Sequence, residues 1–217
     1  MNVVIAIDSF KGSLSSLEAG ESAANGIKKV YPDATTVIRP LADGGEGTVD
    51  ALVAGCGGKM TTVSVTGPLG ETVSCQYGIV SATKTAIIEM AVAAGITLVP
   101  PQKKNPLHTT TYGVGEIIAD AVKRGCRHFL IGIGGSATND GGIGMLQALG
   151  FGMLDENGNQ VEFGAKDFAS LNQSQLAMCC QSFQNVHSVL PAMSQIHFAA
   201  LLAAVLFLDR KRELTLK

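Results

Sequence analysis

Three segments of the sequence combine carboxylates, glycines and hydroxyl side chains, the residue types that bind phosphate and transfer protons. They are residues 8–13, 43–48 and 134–142. Glycine allows backbone N–H groups to approach a phosphate closely, and Ser and Thr hydroxyls add further donors. Lys11 adds a compact positive charge to the first segment. Together the three segments favour a phosphate-handling site, although each one alone is also typical of an ordinary turn or helix cap.

Each of these segments follows a predicted strand and precedes a predicted helix. Strands are predicted at residues 3–7, 36–38 and 129–133, and helices after caps at Ser13, Ser15 or Ser16 and over residues 49–54 and 143–149. The continuous apolar run at residues 3–7 is typical of a parallel strand that is buried on both faces. In an open parallel sheet, the carboxyl ends of the strands line the ligand crevice, and helix N-termini there attract anions. The order of elements therefore predicts an α/β fold with the three segments at the sheet edge.

A second α/β module is predicted to begin near residue 61. Residues 62–65 and 73–77 alternate around the turn at residues 67–70, which is typical of a β-hairpin. Residues 85–90 are expected to add a third element to the same layer, and residues 112–123 form an amphipathic helical pattern.

Composition and charge exclude several classes of protein. The chain is 46% hydrophobic and 16% charged, with a net charge of −2, so it has no basic field for nucleic acid or a membrane surface. Five cysteines, an odd number without zinc-site spacing, predict reduced thiols in the cytoplasm. We expect no signal peptide, and the apolar run at residues 198–208 is too short to span a membrane.

The glycines near residue 134 match neither common nucleotide-binding motif. The stretch Gly132-x-Gly134-Gly135 lacks the full dinucleotide fingerprint, and no Lys-Ser/Thr pair follows it as in a Walker A loop. A nucleotide-binding module of dehydrogenase type is therefore the weaker interpretation.

At the three segments the sequence resembles glycerate kinases of the glyoxylate/glycarate-pathway type, which use ATP to phosphorylate D-glycerate. The matching stretches are IAIDSFKGSLSS (5–16), PLADGGEGTVDAL (40–52), VTGPLGETV (65–73), IIEMAVAAGITLVP (87–100), NPLHTTTYGVGE (105–116) and IGIGGSATNDGGIGMLQALG (131–150). The resemblance runs from Met1 to about Leu171. One departure is Ile7, where the family favours Pro.

The resemblance implies a parallel-sheet, Rossmann-like first domain with an inserted second α/β domain, truncated relative to the family. Residues 1–60 are then the N-terminal part of the first domain and residues 61–171 part of the second. Residues 172–217 fall outside the family pattern. The active site is expected in the cleft between the two domains.

The resemblance places the three segments in this cleft, and the chemistry of phosphoryl transfer suggests their roles. Asp8 or Asp140 would take the proton of the glycerate hydroxyl, and Lys11 would face phosphate or the glycerate carboxylate. Asp43 or Glu46 would hold Mg²⁺, directly or through water. The expected phosphate- and substrate-binding residues are Ser9, Gly134, Gly135, Ser136, Thr138 and Asn139. The implied cofactors are ATP and Mg²⁺, and 2-phosphoglycerate is favoured over 3-phosphoglycerate as the product.

The last quarter of the chain differs in composition from the rest. All 26 glycines lie at or before Gly164, and the last 53 residues contain none. We expect this tail to be a frameshifted reading, because codons for residues 197–217 can be chosen that encode PFCGALGGSSVFGPQKGANPE in another frame. The alternative is a divergent tail with a helix at residues 198–208. A frameshift would leave either an inactive fragment or a chain that needs a separately encoded C-terminal half.

Overall fold

The computed structural model describes residues 1–10, 13–41, 47–175 and 187–189. The strands are β1 (Asn2–Ile7), β2 (Thr35–Pro40), β3 (Lys59–Thr66), β4 (Thr72–Val80), β5 (Thr85–Glu89), β6 (His128–Gly132), β7 (Gly152–Leu154), β8 (Gln173–Gln175) and β9 (His187–Val189). The helices are α1 (Ser16–Val30), α2 (Thr48–Cys56), α3 (Ala91–Ala94), α4 (Tyr112–Lys123) and α5 (Ile143–Ala148). Lys11, Asp43, Glu46 and the predicted helix at 198–208 lie outside the described residues.

The chain begins with a β–α–β unit, as predicted. Strands β1 and β2 pair in parallel along their whole length. Helix α1 begins after Ser15, whose Oγ accepts a hydrogen bond from the Glu18 N–H at 3.2 Å, while Glu18 Oε2 accepts one from the Ser15 N–H at 2.8 Å. This reciprocal pair satisfies two N–H groups that would otherwise lack partners at the helix start. The hydrogen bonds from Ser15 lower the pKa of Glu18.

The prediction that residues 3–7 form a strand buried on both faces is wrong for the described part of the chain. Ile5 is buried on the face that α1 covers, but Val4, on the opposite face, is 68% exposed. Val37 of the neighbouring strand is also exposed. The reason is that α1 covers one face only, and β1 pairs with just one other described strand.

The larger sheet has five strands in the order β3-β4-β5-β6-β9. Strand β4 runs antiparallel to both of its neighbours, β3 and β5, whereas β5, β6 and β9 are parallel. The predicted hairpin and its third strand are thus confirmed. Strands β7 and β8 form a separate antiparallel pair.

Helices cover both faces of the larger sheet. On one face, α4 packs Ile117 into a core with Ile88 and Phe129. On the other face, α2 packs Val49 and Val53 against the sheet. Because side chains alternate along a strand, Ile88 faces α4 while its neighbour Ile87 faces α2. The apolar run in β5 therefore reflects burial on both faces.

Helix α2 also joins the two units, since it follows β2 in sequence but packs on the larger sheet. In the described ranges no helix is both long and apolar enough to cross a bilayer.

Candidate functional site

The third polar segment lies at the carboxyl edge of the larger sheet. Strands β5 and β6 are parallel, and their last residues, Glu89 and Gly132, pair with each other. The chain then leaves β6 into residues 134–140, which we call the glycine loop. The sequence prediction placed this segment at a strand end, and the structure agrees.

The glycine loop is attached to the segment that follows α3. The Ile96 N–H donates to the Gly135 carbonyl and the Ala137 N–H to the Ala94 carbonyl, each at 2.8 Å. Gly135 has a φ of +73°, a conformation that favours glycine, and an added Cβ would lie 3.2 Å from the Ala91 Cβ. Its backbone conformation and its neighbours both favour glycine at this position.

Polar groups of the glycine loop are available to a ligand. Ser136 and Asn139 are exposed and Thr138 is half-buried. The Ser136 Oγ lies 2.9 Å from the Thr138 Oγ1, and it accepts a hydrogen bond from the Thr138 N–H at 3.0 Å. The Ser136 and Thr138 hydroxyls therefore lie together at the sheet edge, beside the exposed Asn139, an arrangement suited to an anion.

Asp140 lies at the end of the same loop but is only 1% exposed. Its Oδ2 accepts hydrogen bonds from the Thr111 N–H (2.8 Å), the Thr111 hydroxyl (2.9 Å) and the Gly144 N–H (3.2 Å). Its Oδ1 accepts one from the Gly142 N–H at 3.0 Å. Both carboxylate oxygens are thus engaged by the protein itself, at the starts of α4 and α5.

Asp8 has the opposite environment. It is exposed just beyond the end of β1, and its Oδ1 accepts a hydrogen bond from the Ser9 N–H at 2.6 Å. The Leu41 N–H donates to the Ile7 carbonyl at 2.9 Å, so the chain leaves β1 and β2 at the same edge of the small sheet. A carboxylate in this position can be reached by a small molecule.

Glu89 is a candidate site residue that our sequence reasoning missed. Its carboxylate is buried at the end of β5, and Oε1 accepts a hydrogen bond from the Val49 N–H in the first turn of α2 at 2.9 Å. A negative charge at a helix N-terminus is favourable, and the hydrogen bond offsets part of the cost of burying it. The sequence contained a signal, since Glu89 is the one charged residue of β5 and follows three apolar residues.

Thr111 was missed as well. It ends a run of three buried threonines, Thr109 to Thr111, directly before α4. Thr109 Oγ1 donates to the Ala137 carbonyl at 2.8 Å, so this run contacts the glycine loop at two points. The signal in the sequence that could have indicated Thr111 is the run of three hydroxyl residues directly before an amphipathic helix.

Comparison with known proteins identifies the lineage of this site. The model of the glycerate kinase family matches residues 3–193. The chain belongs to the glycerate kinase family. The matched range continues past Leu171, where the resemblance noted from the sequence ended.

Relatives with assigned names agree with this family membership. A Haemophilus influenzae protein named glycerate kinase is 50% identical over 187 residues, which are 86% of this chain and 50% of that protein. An Escherichia coli K12 protein named glycerate 2-kinase is 51% identical over 172 residues, 79% of this chain and 45% of that protein. The chain therefore spans about half the length of the relatives that it matches.

A solved structure confirms the α/β fold. A Salmonella typhimurium LT2 protein described as a glycerate kinase 2 superposes with a TM-score of 0.81 at 44% identity, covering 88% of this chain and 51% of that one. The mixed sheet with parallel strands is thus the fold of this family.

Proposed function

We propose that this chain carries part of a glycerate kinase active site, which transfers the γ-phosphate of ATP to D-glycerate. The observation that supports the proposal best is the glycine loop, whose exposed donors lie at the carboxyl edge of parallel strands in a chain of this family. Phosphoryl transfer depends mainly on positioning and on neutralising charge, and such a loop supplies both.

Asp8 is the favoured acceptor of the glycerate hydroxyl proton. Its carboxylate is exposed at a strand end, whereas Asp140 is 1% exposed and both of its carboxylate oxygens accept hydrogen bonds from protein donors. In the proposed step the hydroxyl proton moves to Asp8, the hydroxyl oxygen bonds to the γ-phosphorus, and ADP leaves with the electron pair of the broken bond. By relation to the Escherichia coli glycerate 2-kinase, we favour 2-phosphoglycerate as the product.

Mg²⁺ is proposed to bind at Asp43 and Glu46, because carboxylate oxygens are ligands that Mg²⁺ prefers. When bound, the ion neutralises charge on the phosphates. Lys11 is proposed to face phosphate or the glycerate carboxylate, while Ser9, Gly134 and Gly135 contribute to binding. The proposed location is the cytoplasm.

A second polypeptide is the proposed partner of this chain. Val4 and Val37 expose an apolar face on a parallel sheet, and parallel sheets are ordinarily covered on both faces. The part matched by this chain is only 50% and 45% of these two relatives, so a C-terminal half from a separate chain is the cover that we propose. If nothing supplies that half, the alternative is a catalytically inactive fragment of a glycerate kinase.

An assay of ADP release tests the proposal. The purified chain is given MgATP and D-glycerate, alone and together with the C-terminal half of the Escherichia coli relative, and ³¹P NMR identifies the product. We expect turnover that depends on D-glycerate and a loss of about 100-fold in Asp8→Asn. Asp33→Asn, which changes another exposed carboxylate, is the matched control.

The outcomes separate the alternatives. Turnover only in the mixture supports the missing-half proposal, and no turnover in either arm rejects the kinase activity in favour of the inactive fragment. Normal turnover by Asp8→Asn rejects the assignment of Asp8. The codons of residues 197–217 decide the frameshift separately, since they either encode the family-like peptide in another frame or do not.

A further inference from the structure

The Thr111 hydroxyl connects three parts of the chain. It donates to Asp140 Oδ2 at 2.9 Å and accepts a hydrogen bond from the Met145 N–H at 3.0 Å. The Thr111 N–H also donates to Asp140 Oδ2, at 2.8 Å. One side chain thus links the start of α4 to the first turn of α5 and to the end of the glycine loop.

The fit around Asp140 requires a close approach of backbone. Its carboxylate accepts the Gly142 and Gly144 N–H groups as well as the two Thr111 donors. A Cβ added at Gly144 would collide with the Thr110 Oγ1 and would lie 3.0 Å from Asp140 Oδ2. Glycine at position 144 is therefore needed for the backbone of α5 to reach the carboxylate.

These contacts flank the exposed donors of the glycine loop. Asp140 directly follows Asn139, and the Thr109 hydroxyl holds the Ala137 carbonyl at 2.8 Å, between Ser136 and Thr138. Buried hydrogen bonds to a charged group are stronger than neutral ones and restrict the geometry of their neighbours. The exposed Ser136 and Asn139 and the half-buried Thr138 thus lie on a loop that is held by buried hydrogen bonds.

We propose that Asp140 and Thr111 are positioning residues, which hold the glycine loop in the geometry needed for phosphoryl transfer. The inference rests on the proposed kinase function and deepens it. The Asp140 carboxylate accepts hydrogen bonds from four protein donors. The Thr111 hydroxyl determines its orientation. Their effect on the reaction passes through Ser136, Thr138 and Asn139.

Two substitutions of Thr111 form a matched pair. Thr111→Val keeps the shape of the side chain and removes the hydroxyl, whereas Thr111→Ser keeps the hydroxyl and removes a methyl group. Asp140→Asn is the third variant. It replaces one accepting oxygen with an amide N–H₂ group, which cannot accept hydrogen bonds from the backbone N–H groups around it. Hydrogen exchange of the whole 217-residue chain is followed by mass spectrometry in peptides covering 134–142, with the β4 peptide as reference.

We expect exchange in 134–142 to rise about 10-fold in Thr111→Val and Asp140→Asn, with β4 unchanged and Thr111→Ser close to wild type. In the ADP-release assay, run well below each unfolding midpoint, kcat should fall about 10-fold or more in the same two variants. The KM for D-glycerate should change by less than about 3-fold, because a misplaced phosphate loop slows the chemical step.

Each result is decisive. Equal exchange in Thr111→Val and Thr111→Ser overturns the anchoring role, and faster exchange with an unchanged kcat overturns the positioning role. Faster exchange in a chain that shows no turnover in either arm supports the anchoring and rejects the proposed kinase activity. If Thr111→Val does not fold, Thr109→Val, which loses the hydrogen bonds to the Ala137 and Pro106 carbonyls, is measured in its place with the same expected pattern.

Discussion

The two parallel-strand regions of this protein differ in what covers them. In the larger sheet, Ile87 and Ile88 are 2% and 0% exposed, because α2 and α4 pack on opposite faces. In the small sheet, α1 buries Ile5, while Val4 is 68% exposed on the other face. Within the described chain, both faces of the larger sheet are covered, whereas only one face of the small sheet is covered. Similar apolar strands therefore contribute very different amounts to stability.

Truncating one strand residue in each region should produce the largest contrast. Ile88→Ala removes a fully buried side chain and should lower the free energy of unfolding by about 4 kcal/mol. Val4→Ala changes a largely exposed position and should lower it by less than about 0.5 kcal/mol. Urea unfolding of both variants measures the contrast. A large loss in Val4→Ala would mean that the exposed face is covered in solution.

A pair of helix glycines should give the next largest difference. A Cβ at Gly113 in α4 would collide with the Thr66 carbonyl of β3, so Gly113→Ala should destabilise by about 2 to 3 kcal/mol. Gly26 in α1 has open space around it, and Gly26→Ala should stabilise by about 0.5 to 1 kcal/mol. Thermal unfolding midpoints should move in opposite directions. A shift of equal sign would contradict the close α4–β3 packing.

The helix cap of the small unit should have a smaller effect. Ser15→Ala removes the cap of α1 and should cost about 1 kcal/mol at neutral pH. The pKa of Glu18 is lowered in the folded state, so its contribution is present above the ordinary pKa near 4.5 and is lost as pH falls through the lowered value. The difference between wild type and Ser15→Ala in urea should therefore shrink on acidification. A constant difference would show that Glu18 plays no part in the cap.

Thiol labelling should distinguish the cysteines without affecting stability. Burial, with a smaller contribution from Glu116, raises the pKa of the Cys75 thiol to about 11, whereas Cys56 is exposed at the end of α2. Because the thiolate is the reactive form, iodoacetamide at about pH 8 should modify Cys56 and leave Cys75 intact in the folded protein. Peptide mapping before and after unfolding in urea measures this. Early labelling of Cys75 would indicate that the β3–β4 hairpin opens readily.

Local patterns predicted the elements of this fold well. The amphipathic spacing of residues 112–123 coincides with α4, and the glycine turn at 67–70 correctly separates β3 from β4. Each of these elements is specified by residues close in sequence. The three-residue strands β7 and β8 are too short to produce a periodic signal, and sequence reasoning did not predict them.

The environments of the carboxylates were harder to predict. Asp8 and Asp140 both follow strands in polar turns, yet one is exposed and the other is buried among backbone donors. The hydrogen bond between Asp140 and Thr111 joins residues 29 positions apart, and that between Glu89 and Val49 joins residues 40 apart. Local periodicity carries no information on such contacts, so the sequence predicted candidate segments without indicating which of their carboxylates are buried and which are exposed.

The bond between α2 and Glu89 also has a consequence for the order of folding during synthesis. Chains fold as they emerge from the ribosome, N-terminal parts first, and contacts distant in sequence form late. Helix α2 emerges about 40 residues before the strand that anchors it. The apolar side of α2, which includes Val49 and Val53, therefore cannot pack against β5 until β5 has been synthesised.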